Sequence, residues 1–322
     1  MKFLKYKTFL FYFLFLVLFC SCTSNPNRSP LSSWFEPTGK IKILSTTAMI
    51  DDLVGEIGKE KVDHLPLIVG EIDPHSYELV KGDDEKIKFA TLIIANGLNL
   101  EHGASLRYQL KKHSNVLFLG DEIEKTYPEK ILIVNGERDP HLWTDISIWA
   151  EGIDSIVTAL GEQDPENLSY YQKNGEELRD KFLDAHRKIQ QSMREIPSSK
   201  RYLVTSHDAF HYFTRAYLSD DEKNWQDRCN APEGLAPEGQ LSCKDIQKVV
   251  DYLNRYDIEV IFPESNVSPA ALNKIISSSN RSVRISKYPL YGDAMGKPGT
   301  DADNYLRMVQ HNAKVLKEEW SK

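Results

Sequence analysis

One uninterrupted helical pattern runs through the middle of the chain, over residues 164–197. Asp164 is a helix-capping residue, Pro165 is typical of a first turn, and Pro197 ends the pattern. Apolar or small residues recur every three or four positions, namely Leu168, Tyr171, Gly175, Leu178, Phe182, Ala185, Ile189, Met193 and Ile196. A helix of about 45 Å, at 1.5 Å per residue, is too long for a crossover within a small lobe. We therefore predict a rigid rod between two lobes, with a coiled-coil dimer helix as the alternative.

Strand and helix patterns alternate on both sides of this rod. Before it, "KIKILSTT" and "ATLIIANG" are typical of buried strands, and "AMIDDLVGEIG" has helical spacing. After it, "KRYLVTSHDAF" and "IEVIFPES" are strand-to-loop units, separated by the helical "CKDIQKVVDYLNRY". This alternation predicts an α/β fold with mostly parallel sheets. We expect an N-terminal α/β lobe over residues 40–163, the connecting helix over residues 164–197, and a C-terminal α/β lobe over residues 198–322.

The N-terminus has the pattern of an export signal. Lys2, Lys5 and Lys7 precede an uncharged run from Thr8 to Phe19, followed by "CSC". The run is short for a membrane span, which needs about 20 apolar residues, although a transmembrane anchor is the alternative. We predict a signal peptide over residues 1–22 with a lipobox-like end. Cys22 is then the candidate lipidated residue, and residues 23–39 form a flexible tether outside the cytoplasm, in the periplasm.

Two cysteines remain beyond the signal, Cys229 and Cys243. In an oxidising compartment they are expected to form a disulfide, which for a loop of about 15 residues contributes roughly 3 kcal/mol. A zinc ribbon is the alternative, but it needs two close pairs of ligands.

The net charge of the chain bears on whether it binds nucleic acids. The formal net charge is −7 and the isoelectric point is near 5.8. An acidic chain does not favour nucleic-acid binding.

Two segments share the tripeptide Asp-Pro-His, in "EIDPHSYELV" and "RDPHLWTDIS", and present His75 and His141. Proline fixes its own φ and restricts the preceding residue, so each His lies in a stiff turn. His207 ends the strand pattern "YLVTS", and Asp293 follows "VRISKYPLYG". Loops at the carboxyl ends of parallel strands line ligand crevices. Two residues from each lobe can therefore meet in the inter-lobe cleft, where three imidazoles and one carboxylate suit a divalent transition metal.

A second interpretation concerns "HDAFH", which places His207 and His211 four residues apart. On a helix this spacing is similar to the H-E-x-x-H motif of zinc-dependent metallohydrolases. Asp208 would replace the catalytic Glu, and the preceding strand pattern places His207 at a turn. A serine hydrolase is disfavoured because no G-x-S-x-G motif occurs.

From about Lys40 to its C-terminus the chain resembles the metal-binding proteins of ABC importers, the group that includes TroA, PsaA and ZnuA. The segments that carry the resemblance are "DPHSYE", "DPHLWTD", "VTSHDAFHYF", "GLAPEGQLSCKDI", "VIFPES" and "YGDAMG" with "YLRMVQHN". The resemblance implies two α/β lobes bridged by a rigid helix, with metal bound between them by His75, His141, His207 and Asp293. Asp301 and Asp303 are alternatives for the fourth ligand.

The resemblance also implies a binding protein rather than an enzyme. Such a protein carries one divalent transition metal, manganese, iron or zinc, to the membrane subunits of an ABC permease. We expect a monomer held at the membrane by an N-terminal lipid anchor. The stretch "GDEIEKTYPEKILIVNGERDP" contains no His, unlike the His-rich loop of many zinc binders, which favours manganese or iron.

Overall fold

The computed structural model of the chain describes residues 31, 34–221, 224–237 and 241–322. The predicted signal peptide, residues 1–22 with Cys22, lies outside the described residues. The end of the predicted tether does not extend freely, because Trp34 is buried and its indole N–H donates to the carbonyl of Lys86 at 3.3 Å. No helix in the described part of the chain has the length and apolarity needed to cross a membrane.

The first lobe is built on a four-stranded parallel sheet with the order β2-β1-β3-β4. Its strands are β1 (Ile41–Ser45), β2 (Val62–Pro66), β3 (Leu92–Ala95) and β4 (Val116–Phe118). Its helices are α1 (Ala48–Gly58), α2 (Asp83–Phe89), α3 (Ala104–Lys112), α4 (Leu119–Thr126), α5 (Ile146–Trp149) and α6 (Gly152–Gln163).

A short hairpin interrupts this pattern between the two Asp-Pro-His segments. β5 (Ile133–Val134) pairs antiparallel with β6 (Glu137–Arg138). Asn135 and Gly136 form its turn with φ values of 53° and 88°. Asn-Gly suits this turn because both of its central residues need positive φ.

The second lobe repeats the parallel arrangement with shorter strands. It contains β7 (Leu203–Val204), β8 (Cys229–Asn230), β9 (Val260–Ile261) and β10 (Arg284–Ile285), with α8 (His211–Phe213), α9 (Cys243–Arg255), α10 (Ala270–Ser278) and α11 (Tyr305–Trp320). β7 pairs with β8 and β9 with β10, and the N–H of Phe262 donates to the carbonyl of Val204 at 2.8 Å. The fold is therefore two α/β lobes with parallel sheets, as predicted.

The long helix, α7 (Leu168–Arg194), connects the two lobes. A 3₁₀ turn at Pro165–Asn167 precedes it. It packs against α1, α5 and α6 of the first lobe, and against α11 and residues 214–218 of the second. The predicted stripe is its buried face, including Tyr171, Leu178, Phe182 and Met193. Because the chain itself covers this face, the coiled-coil alternative is not supported.

The largest hydrophobic cluster contains residues of both lobes and of α7. Alternate residues of the first sheet face opposite ways: Ile43 and Ile94 belong to the shared cluster, whereas Leu44 and Ile93 belong to a smaller cluster. A third cluster lies between the second sheet and helices α9 and α10. Each sheet is thus covered on both faces, as expected for parallel strands.

Gly175 allows α7 to approach α6 closely. A Cβ atom at this position would lie 2.8 Å from Cγ2 of Val157 and 3.1 Å from Cγ2 of Ile153. We expect Gly175→Val to lower the free energy of unfolding by about 1–3 kcal/mol through overpacking. Urea unfolding of metal-free protein measures this. Lys173→Val, at an exposed position of the same helix, controls for the helix propensity of valine. Equal losses in the two variants would contradict the prediction.

Candidate metal centre

Each Asp-Pro-His segment forms the same local turn. Oδ1 of Asp73 accepts the backbone N–H of His75 at 2.9 Å, and Oδ1 of Asp139 accepts that of His141 at 3.0 Å. These Asx-type turns reinforce the stiffness that proline supplies. The two imidazoles meet, with 3.2 Å between their Nε2 atoms.

The second lobe contributes the other two predicted residues. His207 follows β7 and forms an isolated bridge with Glu233, and Asp293 follows a similar bridge between Glu264 and Leu290. Oδ2 of Asp293 lies 3.1 Å from Nε2 of His207, and Oδ1 lies 3.5 Å from Nε2 of His141. His75, His141, His207 and Asp293 are buried, and one potential ligand atom from each lies within 4.8 Å of the others. The structure therefore brings together all four predicted residues.

Asp301 and Asp303 lie elsewhere. Asp301 has an exposed side chain and pairs with Nδ1 of His311 at 3.2 Å. Asp303 pairs with Arg307 at 2.8 Å and accepts the N–H of Gly299. Of the three candidate aspartates, only Asp293 reaches the imidazoles.

Two buried carboxylates orient the imidazoles from behind. Oδ1 of Asp139 lies 2.7 Å from Nδ1 of His141, and Oε2 of Glu264 lies 2.8 Å from Nδ1 of His207. Oε1 of Glu264 also accepts the backbone N–H groups of Ser206 and His207. A carboxylate at Nδ1 favours the tautomer that leaves Nε2 free to bind a metal. Gly292 is necessary here, because a Cβ atom would lie 2.4 Å from Oε2 of Glu264.

The electrostatics of the cluster favour a cation. Burial lowers the pKa of His75 to about 3, so this imidazole is neutral. Burial also disfavours a charged Asp293, yet His207 and the other imidazoles hold the pKa of this carboxyl well below its usual range. Burial likewise opposes protonation of His207, but Glu264 and Asp293 raise its pKa well above the ordinary value.

One buried carboxylate oxygen of the cluster, Oδ1 of Asp293, has no hydrogen-bond partner among the described residues. Leaving such an atom unsatisfied is costly, so it is expected to bind something. Three imidazole nitrogens and a carboxylate are a donor set that fits manganese, iron or zinc.

The metallohydrolase alternative is not supported by the position of His211. Helix α8 begins at His211, so His207 lies before the helix, at its bridge with Glu233, and not within a helix as the motif requires. Nδ1 of His211 is 2.8 Å from Oδ2 of Asp139, and the residue is not a member of the four-residue cluster. The spacing in "HDAFH" therefore does not place both imidazoles on one metal.

The predicted disulfide is wrong, because Cys229 and Cys243 are both free. Cys229 lies in β8, partly buried, with its thiol against His211. Cys243 is the exposed first residue of α9. The thiol of Cys229 is partly buried, whereas Cys243 is exposed. The spacing of the two cysteines along the chain was therefore not a guide to disulfide formation. The zinc-ribbon alternative also fails, since no second group of metal-ligating side chains occurs in the described part of the chain.

An opening of about 360 Å³ adjoins the cluster at His75. Its lining includes His75, Asn99, His102, Arg138 and Leu235. Of the four clustered residues, only His75 lines this opening. His75 is therefore the clustered residue next to the opening.

The chain is similar to known proteins over most of its length. A family model described as "ZnuA: Zinc-uptake complex component A periplasmic" matches residues 43–319. "Metal-binding protein YtgA" of Chlamydia muridarum is 40% identical over 305 residues, covering 93% of this chain and 90% of YtgA. The crystal structure of Fe(III)-bound YtgA from Chlamydia trachomatis has a TM-score of 0.83 and 41% identity, covering 87% of this chain and 98% of that chain. The "Manganese ABC transporter substrate-binding lipoprotein PsaA" of Streptococcus pneumoniae is 27% identical over 326 residues, covering 99% of both.

Proposed function

The chain belongs to the ZnuA family of metal-uptake components, and from this premise we propose that its buried four-residue cluster captures one transition metal for import. It is a metal-binding, substrate-binding component of an ABC transporter. The observation that supports the site is the convergence of three imidazoles and one carboxylate from two lobes. The family is named for zinc uptake, YtgA of Chlamydia trachomatis was crystallised with Fe(III), and PsaA is named for manganese, so zinc, iron and manganese are the candidates.

The site is suited to binding rather than to catalysis. His75, His141, His207 and Asp293 would supply three nitrogens and one or two oxygens, which closes the coordination shell. A catalytic metal instead keeps an open position for water. The family consists of solute-binding proteins, in agreement with this chemistry. By the Irving–Williams order we expect zinc to bind more tightly than manganese in vitro, whichever metal is carried in the cell.

On this proposal, residues 40–163 and 198–322 hold the metal between them and release it to the permease with small shifts. Helix α7 and the shared hydrophobic cluster both resist a wide hinge motion. Solution scattering of the metal-free and metal-bound protein tests this. A large change in the radius of gyration would count against small shifts.

We also propose that the chain is exported to the periplasm and anchored by a lipid on Cys22. Support comes from the basic and apolar pattern of residues 1–22, and from the relative PsaA, which is named a lipoprotein. Mass spectrometry of the mature protein distinguishes a lipidated Cys22 from a cleaved or uncleaved unmodified chain. The molar mass of the same sample in solution, measured at a known concentration, tests whether the protein is a monomer.

Metal titration of demetallated protein, starting at Thr23, tests the capture function. We expect one tightly bound manganese, iron or zinc ion per chain, weakened at least about 100-fold in His207→Ala. His113→Ala is the matched control, because His113 is half-buried and bonded to the carbonyl of Asn115. No tight binding, or binding that is indifferent to His207, would refute the four-ligand site.

Metal affinity is expected to rise with pH. Below the raised pKa of His207, metal binding must displace its proton, so the association constant should change about tenfold per pH unit. His75, with its pKa lowered to about 3, adds no second proton near neutral pH. Competition titrations at about pH 5.5, 6.5 and 7.5, which bracket the usual imidazole pKa, measure this slope. A flat profile would contradict the assignment of His207 as a ligand.

A further inference from the structure

We infer that His211 is a positioning residue for metal capture, which acts through Asp139 to orient the ligand His141. The inference rests on the proposed function, since it concerns the geometry of the same cluster. His211 itself is not one of the four converging residues. It is the outer member of a line of three buried side chains, His211, Asp139 and His141.

The carboxylate of Asp139 is shared between two imidazoles. Its Oδ1 accepts hydrogen bonds from Nδ1 of His141 at 2.7 Å and from the backbone N–H of His141 at 3.0 Å. Its Oδ2 accepts a hydrogen bond from Nδ1 of His211 at 2.8 Å. Asp139 is fully buried, so both of its oxygens depend on protein donors in the intact structure. His211 is therefore the group that satisfies the oxygen turned away from the ligand.

Loss of His211 would affect the position of His141 through Asp139. An unpaired carboxylate oxygen in a buried position is costly, and the carboxylate can lower this cost by rotating toward another donor. This rotation weakens the hydrogen bond to Nδ1 of His141, which holds Nε2 toward Asp293 at 3.5 Å. The position of one ligand atom thus depends on a residue outside the cluster.

The surroundings of His211 keep it a hydrogen-bond donor. Its Nε2 lies 3.7 Å from Oδ1 of Asp208, its ring is 5.3 Å from that of Trp225, and the thiol of Cys229 contacts it. A carboxylate oxygen accepts hydrogen bonds, so Nδ1 of His211, 2.8 Å from Oδ2 of Asp139, is the nitrogen that carries the hydrogen.

His211 and His75 line different cavities. It lines a cavity of about 740 Å³ together with Asp208, Trp225, Cys229 and Lys248. None of the residues lining this cavity lines the 360 Å³ opening at His75. Substitutions at His211 therefore do not alter the lining of the opening at His75, and we expect a change in affinity to report on ligand geometry.

Zinc affinity of the full mature chain, measured by competition with a chromophoric chelator, tests the inference. We expect His211→Leu, which has a similar volume and no N–H, to weaken zinc binding about 10-fold. His211→Asn places an amide N–H where Nδ1 was and should bind within about threefold of the unaltered protein. Should His211→Leu not fold, His211→Phe keeps the ring against Trp225 and carries the same expectation.

Two further comparisons separate positioning from general stability. In an Asp139→Ala background, His211→Leu should cause no additional loss, because the residue acts only through Asp139. His186→Leu removes another partly buried imidazole, bonded to Tyr217, and should lower stability without changing affinity. Unchanged affinity in His211→Leu, no recovery in His211→Asn, or additive losses with Asp139→Ala would each overturn the inference. Failure of the unaltered protein to bind one metal would instead refute the proposed function.

Discussion

Asp293→Asn is expected to weaken manganese binding by at least about 1,000-fold, or roughly 4 kcal/mol. Asp293 is the only anion among the four clustered residues, and its carboxylate faces all three imidazoles at 3.1–3.9 Å. Asparagine has nearly the same shape but carries no charge, and its amide group presents N–H donors to the cation. Removal of one partner from a buried charge pair commonly costs about 3–5 kcal/mol. Competition with a fluorescent chelator measures the loss.

The chain supplies matched controls for this substitution. Asp301→Asn and Asp303→Asn remove the same charge from the other two candidate aspartates, which pair with His311 and Arg307. Both variants should bind manganese within about twofold of the unaltered protein, because a screened surface charge contributes little. Comparable losses in all three variants would mean that net charge, rather than coordination by Asp293, governs binding.

Trp143→Ala is expected to lower the free energy of unfolding by about 3–5 kcal/mol. Trp143 is fully buried and belongs to the shared cluster. Its indole N–H donates to the carbonyl of Gly292 at 2.7 Å, and its own carbonyl accepts the hydroxyl of Tyr305 at 2.9 Å. The substitution therefore creates a cavity and leaves the buried carbonyl of Gly292 without its donor. Urea unfolding of metal-free protein measures the change.

A pair of phenylalanine variants isolates the hydrogen bond from the packing. Trp143→Phe loses both ring volume and the bond to Gly292. Trp149→Phe loses similar volume but no hydrogen bond, because the indole N–H of Trp149 has no partner among the described residues. We expect Trp143→Phe to lower the free energy of unfolding by about 1–2 kcal/mol more than Trp149→Phe does. It should also bind metal more weakly, since Gly292 precedes Asp293. Equal effects in the two variants would show that the bond does not position Asp293.

Local patterns were sufficient to predict the fold class, and they allowed the four clustered residues to meet in the cleft, while the ligand set itself came from the family resemblance. The spacing of apolar residues in α7 predicted its buried face, and strand-to-loop patterns placed His207 and Asp293 at strand ends. The two Asp-Pro-His segments indicated stiff turns, and the family resemblance, now confirmed, pointed to the same residues.

Contacts between distant segments were not predictable in the same way. Asp139 lies within an Asp-Pro-His segment, yet nothing local indicates that its second oxygen reaches His211 on another lobe. Glu264 ends a strand pattern, and this position weakly indicated that it lies near the site. Its pairing with His207, however, depends on two strands lying side by side. The disulfide prediction failed for the same reason, because spacing along the chain does not reveal which way Cys229 and Cys243 face.

The shared hydrophobic cluster joins the two lobes and α7 through one set of buried side chains. Because Ile43, Phe182 and Trp320 belong to one cluster, a half-chain exposes apolar surface that its missing half would cover. We therefore expect a cut in the middle of the sequence to give two fragments that do not fold separately. On the proposed function, metal bound between the lobes would stabilise the entire chain against unfolding, so metal occupancy and resistance to proteolysis would be linked.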